Sequence, residues 1–244
     1  SPLVIVRMAV FGLLDELIRR PEIWYCLGCQ ACAHDCPMLV KPSRLIGYLR
    51  WEAVRQGVYD LELINRFRAI WNRYQTVRWV LAREWQNQGS LSPELVWEND
   101  QVTQVIGGTE ALRLDLQPGG NGVDLRQAGD VTCCFTCGEC RGVCPIYQDH
   151  GPFDPLAIFR LVNLGQYKDL LDSAALWLCL GCRRCTESCT QGVSGHLVIQ
   201  KLREKAMKDG YLDQKFIDGW AEVEKKLYTY YVTKVMDTFN FKDN

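Results

Sequence analysis

No apolar stretch in this chain is long enough to cross a bilayer. The longest, Leu3 to Leu14, runs 12 residues and is interrupted by Arg7, where about 20 consecutive apolar residues are needed to span the hydrocarbon core. A cationic leader with a cleavage site is missing too, so the expectation is a chain with neither signal peptide nor membrane span, working in the cytoplasm. Charge of one sign is equally scarce. Lys and Arg number 28 against 29 Asp and Glu, a formal net charge of -1, which offers no bulk attraction for nucleic acid or anionic lipid. What is left is a 244-residue chain, 48% hydrophobic and 23% charged, the profile of a soluble globular protein of one or two domains. Disorder, collagen and coiled coil are excluded on the same grounds.

Cysteine is what the sequence has in excess, with 13 residues. An odd number in a chain long enough to build its own core is not a disulfide scaffold. Without a secretory signal it reads as metal ligation or redox chemistry in a reducing compartment. Twelve of the cysteines fall in three runs: Cys26, Cys29, Cys32 and Cys36; Cys134, Cys137, Cys140 and Cys144; Cys179, Cys182, Cys185 and Cys189. Every run has the spacing C-x2-C-x2-C-x3-C, and Cys133 is left over. Pro37 and Pro145 follow the first two runs, whereas Thr190 follows the third.

Three thiolates spaced three residues apart on a tight loop can each hold one iron of a cubane [4Fe-4S] cluster, leaving the fourth iron for another ligand. In two-cluster ferredoxins the last cysteine of each run ligates the other cluster, so one run implies a partner run. Gly28, Gly138 and Gly181 lie inside the loops, where a permissive backbone lets amide groups turn toward the sulfurs. Zinc usually draws its thiolates as two C-x2-C pairs about a dozen or more residues apart, which four cysteines in one short run fit poorly. Three [4Fe-4S] clusters are therefore expected.

The chain also repeats itself. From Cys26 to Cys179 is 153 residues, and that shift superimposes Pro2-Leu3 on Pro155-Leu156, Ile5 on Ile158, Arg7 on Arg160 and Gly12 on Gly165. It also brings Trp24 onto Trp177, Leu27-Gly28 onto Leu180-Gly181, Ile46 onto Ile199, Arg50 onto Arg203, Ala53 onto Ala206, Gly57 onto Gly210 and Asp60 onto Asp213. Residues 1–87 form an N-terminal half-repeat with one cluster motif, 88–131 a linker, and 132–244 a two-cluster domain. The run at Cys134 has no counterpart inside the first copy.

The fold expected is mainly α, partially duplicated. Ser1-Pro2 and Asp154-Pro155 each offer an N-cap residue followed by Pro at the first helical position. Ser43 to Gln56 has apolar residues at helical spacing and Gly57 as a stop, and Gly195 to Gly210 repeats it. Asp60 to Gln86 and Asp213 to Phe239 read as long amphipathic helices, the first with Leu63, Phe67, Ile70, Trp71 and Tyr74 along one face, a packing stripe covering the clusters. In the linker, alternating Leu112, Leu114 and Leu116 before Pro118 to Gly122 suggest one small hairpin.

From about residue 130 to 240 the chain resembles the C-type subunit of heterodisulfide reductase. The residues that carry the resemblance are Cys134-Phe-Thr-Cys137-Gly-Glu-Cys140-Arg-Gly-Val-Cys144-Pro145, then Ala175-Leu-Trp177-Leu-Cys179-Leu-Gly-Cys182, then Cys185 and Cys189. The resemblance implies an α-helical ferredoxin fold that relays electrons between a flavin-containing A-type subunit and a B-type catalytic subunit, within a hetero-oligomer. B-type subunits carry a paired cysteine followed at a distance by C-x-x-C; Cys133-Cys134 supplies a pair, but no C-x-x-C follows at the required distance, so the active site belongs to another chain. Thr190 and the extra N-terminal half-copy depart from the family pattern.

By the reciprocal rule, Cys134, Cys137, Cys140 and Cys189 hold one cluster, and Cys179, Cys182, Cys185 and Cys144 the other. Cys26, Cys29 and Cys32 serve a third, whose fourth ligand has four candidate sources: Cys36 folding back, Cys36 of a symmetry mate, Cys133, or a partner subunit. An unpaired run places this cluster near a subunit boundary, with Pro37 to Val40 covered by a partner or by a second copy in a dimer of complexes. Cys133 stands where Tyr25 and Leu178 occur in the repeat and reads as a buried, inert thiol. His34, His150 and His196 read as local hydrogen-bonding residues. Asp15-Glu16 with Arg19-Arg20, and Glu222 to Lys226, read as solvated helix faces. The other functional class with modules of this spacing is the iron–sulfur subunit of a membrane quinone oxidoreductase or of a glycolate or glycerol-phosphate dehydrogenase.

Overall fold

A computed structural model describes residues 1–87, 91–99, 125–149, 151–212 and 214–239. It is mainly helical, and among the described residues it contains no strand. The α-helices are α1 (Pro2–Val10), α2 (Leu14–Leu17), α3 (Ala31–His34), α4 (Pro42–Arg55), α5 (Leu61–Gln86), α6 (Pro93–Glu98), α7 (Glu139–Gly142), α8 (Pro155–Asn163), α9 (Lys168–Leu171), α10 (Arg184–Glu187), α11 (Gly195–Lys208) and α12 (Gln214–Thr238). Short 3-10 segments lie at Pro21–Ile23, Leu125–Cys133 and Ala174–Leu178. The hairpin expected at 112–122 lies outside the described residues, as do His150 and Asp213.

Helix starts differ between the two copies. Asp154 caps α8, its carboxylate accepting from the N–H groups of Leu156 and Ala157. Ser1 stands at the same place before α1 without a side-chain cap bond. Helices α4 and α11 both run 14 residues, and Gly57 and Gly210 follow them at φ +69 and +79, the left-handed conformation that lets a terminal N–H turn back on the last carbonyls.

The contacts divide the chain into two compact units, Ser1–Tyr74 with Leu227–Asn244, and Gln75–Lys226. The division passes through both long helices, so each unit is completed by half of the other copy's long helix. In the first unit α1 packs on α2 and α4. Trp24 is 3% exposed; its ring meets Tyr59 and Phe67 edge-on at 5.4 and 5.1 Å and stacks on Phe239 at 5.0 Å. Tyr231 Oη donates to the Trp24 carbonyl at 3.3 Å, and Tyr228 Oη donates to the Tyr25 carbonyl at 3.3 Å. The aromatic stripe of α5 is thus partly core, built behind a cysteine loop.

In the second unit the segment Leu125–Cys133 lies on α8 and α11. Its middle residues, Ala128 to Asp130, leave helical geometry, and Gly129 comes so close to α11 that a Cβ there would stand 2.5 Å from the Ser194 carbonyl oxygen. The Ser194 N–H donates to the Gly129 carbonyl at 2.7 Å. Behind the Cys179 loop, Trp177 packs on Phe216, and α5 contributes two residues. Trp85 Nε1 donates to the Phe216 carbonyl at 3.1 Å. Arg78, only 1% exposed, donates to the Leu178 carbonyl at 3.1 Å and pairs with Glu224.

Candidate metal centres

All three cysteine runs adopt the same backbone. The residues on either side of the second cysteine have positive φ in every run: Gly28 and Gln30 at +69 and +56, Thr136 and Gly138 at +66 and +88, Gly181 and Arg183 at +65 and +56. Two left-handed residues in close succession curl the chain so that its amides face the sulfurs. The Gly28 N–H donates to Cys26 Sγ at 3.3 Å and the Gly181 N–H to Cys179 Sγ at 3.4 Å. One helical turn then follows in each run, α3, α7 or α10, and carries the third cysteine. Glycine occupies only three of the six left-handed positions, because one turn geometry is being imposed on different residues.

Two cavities of similar size open among the cysteines of the second unit. The first is lined by Cys144, Cys179, Cys182 and Cys185, with His196. The second is lined by Cys134, Cys137, Cys140 and Cys189, with Leu156 and Val193. Phe159 and Cys185 touch both. In the first unit Cys26, Cys29 and Cys32 stand close enough for the first two to act electrostatically on the third. Among the described residues no three His, Cys, Asp or Glu side chains converge tightly enough for a single metal ion. Eight of the nine thiols of the second unit, all but that of Cys133, line these two cavities instead.

Burial pushes the Cys140 and Cys144 thiols up to about 11 and Cys185 up to about 12, with neighbouring sulfurs adding to the rise. Cys32 and Cys182 are also raised, first by burial. Thiolates are the ligands of iron and zinc alike, so loading these sites must displace protons.

The repeat singles out Arg50 and Arg203 as equivalents, and the structure supplies their role. Arg50 Nε donates to the Ile23 carbonyl at 2.7 Å and Arg50 Nη2 to the Cys26 carbonyl at 2.8 Å. Arg203 does the same 153 residues on: Nη2 donates to the carbonyls of Leu176 at 2.7 Å and Cys179 at 2.9 Å. Each guanidinium lies over the tryptophan before its loop, 5.5 Å from the Trp24 ring and 5.0 Å from the Trp177 ring. His196, expected to hydrogen-bond locally, has its Nδ1 2.8 Å from Thr186 Oγ1, and it also lines the first cavity. Cys133 corrects an expectation, for it is exposed. Two residues earlier Val131 is wholly buried and takes the inward position of this short segment.

Residues 130–193 match the family model of the 4Fe-4S dicluster domain. Over 79 residues the chain is 34% identical to the C-type subunit of the H(2):CoB-CoM heterodisulfide,ferredoxin reductase of Methanothermobacter thermautotrophicus, covering 32% of this chain and 42% of that protein. Over 89 residues it is 35% identical to the C-type subunit of the ferredoxin:CoB-CoM heterodisulfide reductase of Methanosarcina mazei, covering 36% and 54%. A probable glycolate oxidase iron-sulfur subunit of Bacillus subtilis is 31% identical over 83 residues, 19% of its length. The chain thus spans about half the length or less of the first two relatives and a smaller part of the third. No solved structure matches. The two-run part of this chain is similar to the C-type subunit of heterodisulfide reductase, and it carries a 4Fe-4S dicluster domain.

Proposed function

We propose that this chain is an iron–sulfur relay holding three [4Fe-4S] clusters, passing electrons between a flavin-containing A-type subunit and a B-type catalytic subunit of a heterodisulfide-reductase-like complex. The observation that carries this reading is the pair of cysteine-lined cavities, the first walled by Cys179, Cys182 and Cys185 with Cys144 from the other run, the second by Cys134, Cys137 and Cys140 with Cys189 and the shared Cys185 from the other run. When bound, such clusters take up and release single electrons. Cys134, Cys137, Cys140 and Cys189 would hold one, Cys179, Cys182, Cys185 and Cys144 a second, and Cys26, Cys29 and Cys32 a third. The chain's part is to fix the thiols, supply amides to the sulfurs and keep water out. Phe159, which walls both cavities and is 3% exposed, separates them with an aromatic ring instead of solvent. We take 1–87 and 132–244 as the units of duplication, joined by 88–131.

The chain's own motifs are all ligation motifs, so the isolated protein should carry no disulfide-reductase turnover. Among the described residues no helix is long and apolar enough to cross a membrane. The second reading, part of a glycolate-type dehydrogenase, is favoured by the relative of that name and is separated from the first by the proteins that copurify.

Partner contact belongs on the first unit. Leu156 and Val193 line the Cys134 cavity at 7% and 3% exposure, whereas their repeat equivalents Leu3 and Val40 are 58% and 38% exposed. Cys36 is the equivalent of Cys189. Leu3 and Val40 are thus open where their equivalents are covered, which supports a partner subunit or a second copy over this face of the first unit. Anaerobic metal and sulfide analysis tests the reading. About twelve iron atoms per chain, four for each cluster, are expected, and zinc in place of iron would overturn it.

A further inference from the structure

Arg50 and Arg203 are the polar residues that the duplication preserves most completely, yet cysteine ligation alone does not call for them. Each donates to the carbonyl of its loop's first cysteine, to the carbonyl three residues before it, and lies over the intervening tryptophan. Among the described residues neither forms an ion pair with a carboxylate. Burial pulls both guanidinium groups below the ordinary arginine range, opposed at Arg50 by Cys26 and Tyr231 and at Arg203 by Cys179 and Glu224, with Arg78 adding to the fall at Arg203. A desolvated cation without a paired carboxylate is costly; Glu224 acts on Arg203 but is paired with Arg78, and the negative charge left to compensate each guanidinium is that of a thiolate-ligated cluster.

We propose that Arg50 and Arg203 set the reduction potentials of the clusters on the Cys26 and Cys179 loops, holding both above that of the cluster in the Cys134 cavity. The proposal rests on the iron–sulfur reading above. A cubane cluster with thiolate ligands is negatively charged and gains one more negative charge on reduction. A fixed cation beside its loop, poorly screened by water, stabilises the reduced form more than the oxidised form. The Cys134 loop differs. Its arginine, Arg141, is paired with Asp154, Nε standing 2.9 Å from Oδ1, so that cation is offset by a carboxylate.

The test is a redox titration followed by electron paramagnetic resonance on anaerobic protein, with dithionite supplying one electron per cluster and no bond made or broken. Arg50→Gln should lower one midpoint and Arg203→Gln a different one, while the midpoint that neither moves should be the lowest in the unsubstituted protein. Arg50→Lys and Arg203→Lys keep the charge but lose the fork and the stacking, so their midpoints should stay near the original. If the Gln and Lys variants shift alike, the arginines merely brace the loops and the proposal fails. It fails equally if the lowest midpoint is one that an arginine variant moves. Where a Gln variant does not retain its cluster, the corresponding Lys variant decides: full iron with an unshifted midpoint supports the charge role, and a lowered midpoint contradicts it. Absence of iron from the unsubstituted protein would instead remove the iron–sulfur reading itself.

Discussion

A Cβ built on Gly195 would stand 2.4 Å from Cζ of Phe159 and 2.9 Å from Sγ of Cys185. Gly195→Ala must therefore displace the ring between the two cavities or a proposed cluster ligand. A loss of about 1–3 kcal/mol is expected from overpacking at such a site, read by chemical denaturation, together with a fall in retained iron; unchanged stability and iron would show that the ring yields freely. Arg78 makes a different demand. It is buried against Leu178 and Gln75 and pairs with Glu224. Arg78→Ala should cost about 3 kcal/mol, because it strips a buried pair of one partner; a loss under about 1 kcal/mol would mean that water replaces the guanidinium. The repeat makes Arg50 and Arg203 visible as equivalents, but nothing in the sequence marks Arg78. Its equivalent is Tyr231, and the two are alike only in donating to a backbone carbonyl just ahead of the first cysteine, Leu178 for one and Trp24 for the other.

At the scale of elements the four long helices α4, α5, α11 and α12 are legible nearly to the residue, since Pro, Gly and apolar spacing mark their ends, whereas short turns such as α2, α6 and α9 are not. Expected limits of 43–56 and 60–86 compare with Pro42–Arg55 and Leu61–Gln86. Two features are not legible. Ser1 has the residue type of a cap, as Asp154 does, but a cap needs the side chain to turn onto the helix amides, which residue type alone does not fix. Asp154 makes those bonds at 3.0 and 3.2 Å and holds Arg141 as well. Asp154→Ala should lower stability by about 1–2 kcal/mol, and an unchanged thermal midpoint would contradict the cap. The exchange of helix halves is the other. Periodicity shows which face of α5 and α12 is apolar, but not that Trp24 would be covered by Phe239, or Phe216 reached by Trp85. Cysteine spacing carries the site further than the fold, because three loops with one spacing share one backbone even where Thr136, Gln30 and Arg183 replace glycine.

For the whole molecule the unequal exposure of equivalent residues is the guide to its partners. Apolar side chains that are buried in one copy and open in the other mark surface the duplication once covered or a complex now covers. Leu3→Glu and Val40→Glu should leave iron content unchanged and weaken association with the partner subunits about tenfold or more; unaltered association would move the interface elsewhere. Native mass spectrometry of the anaerobically prepared chain bears most directly on the relay itself. A mass above that of the bare polypeptide by three four-iron, four-sulfide units is expected, with Cys26, Cys29 and Cys32 protected from alkylation. Zinc masses, or two cluster units with those three thiols freely alkylated, would contradict it.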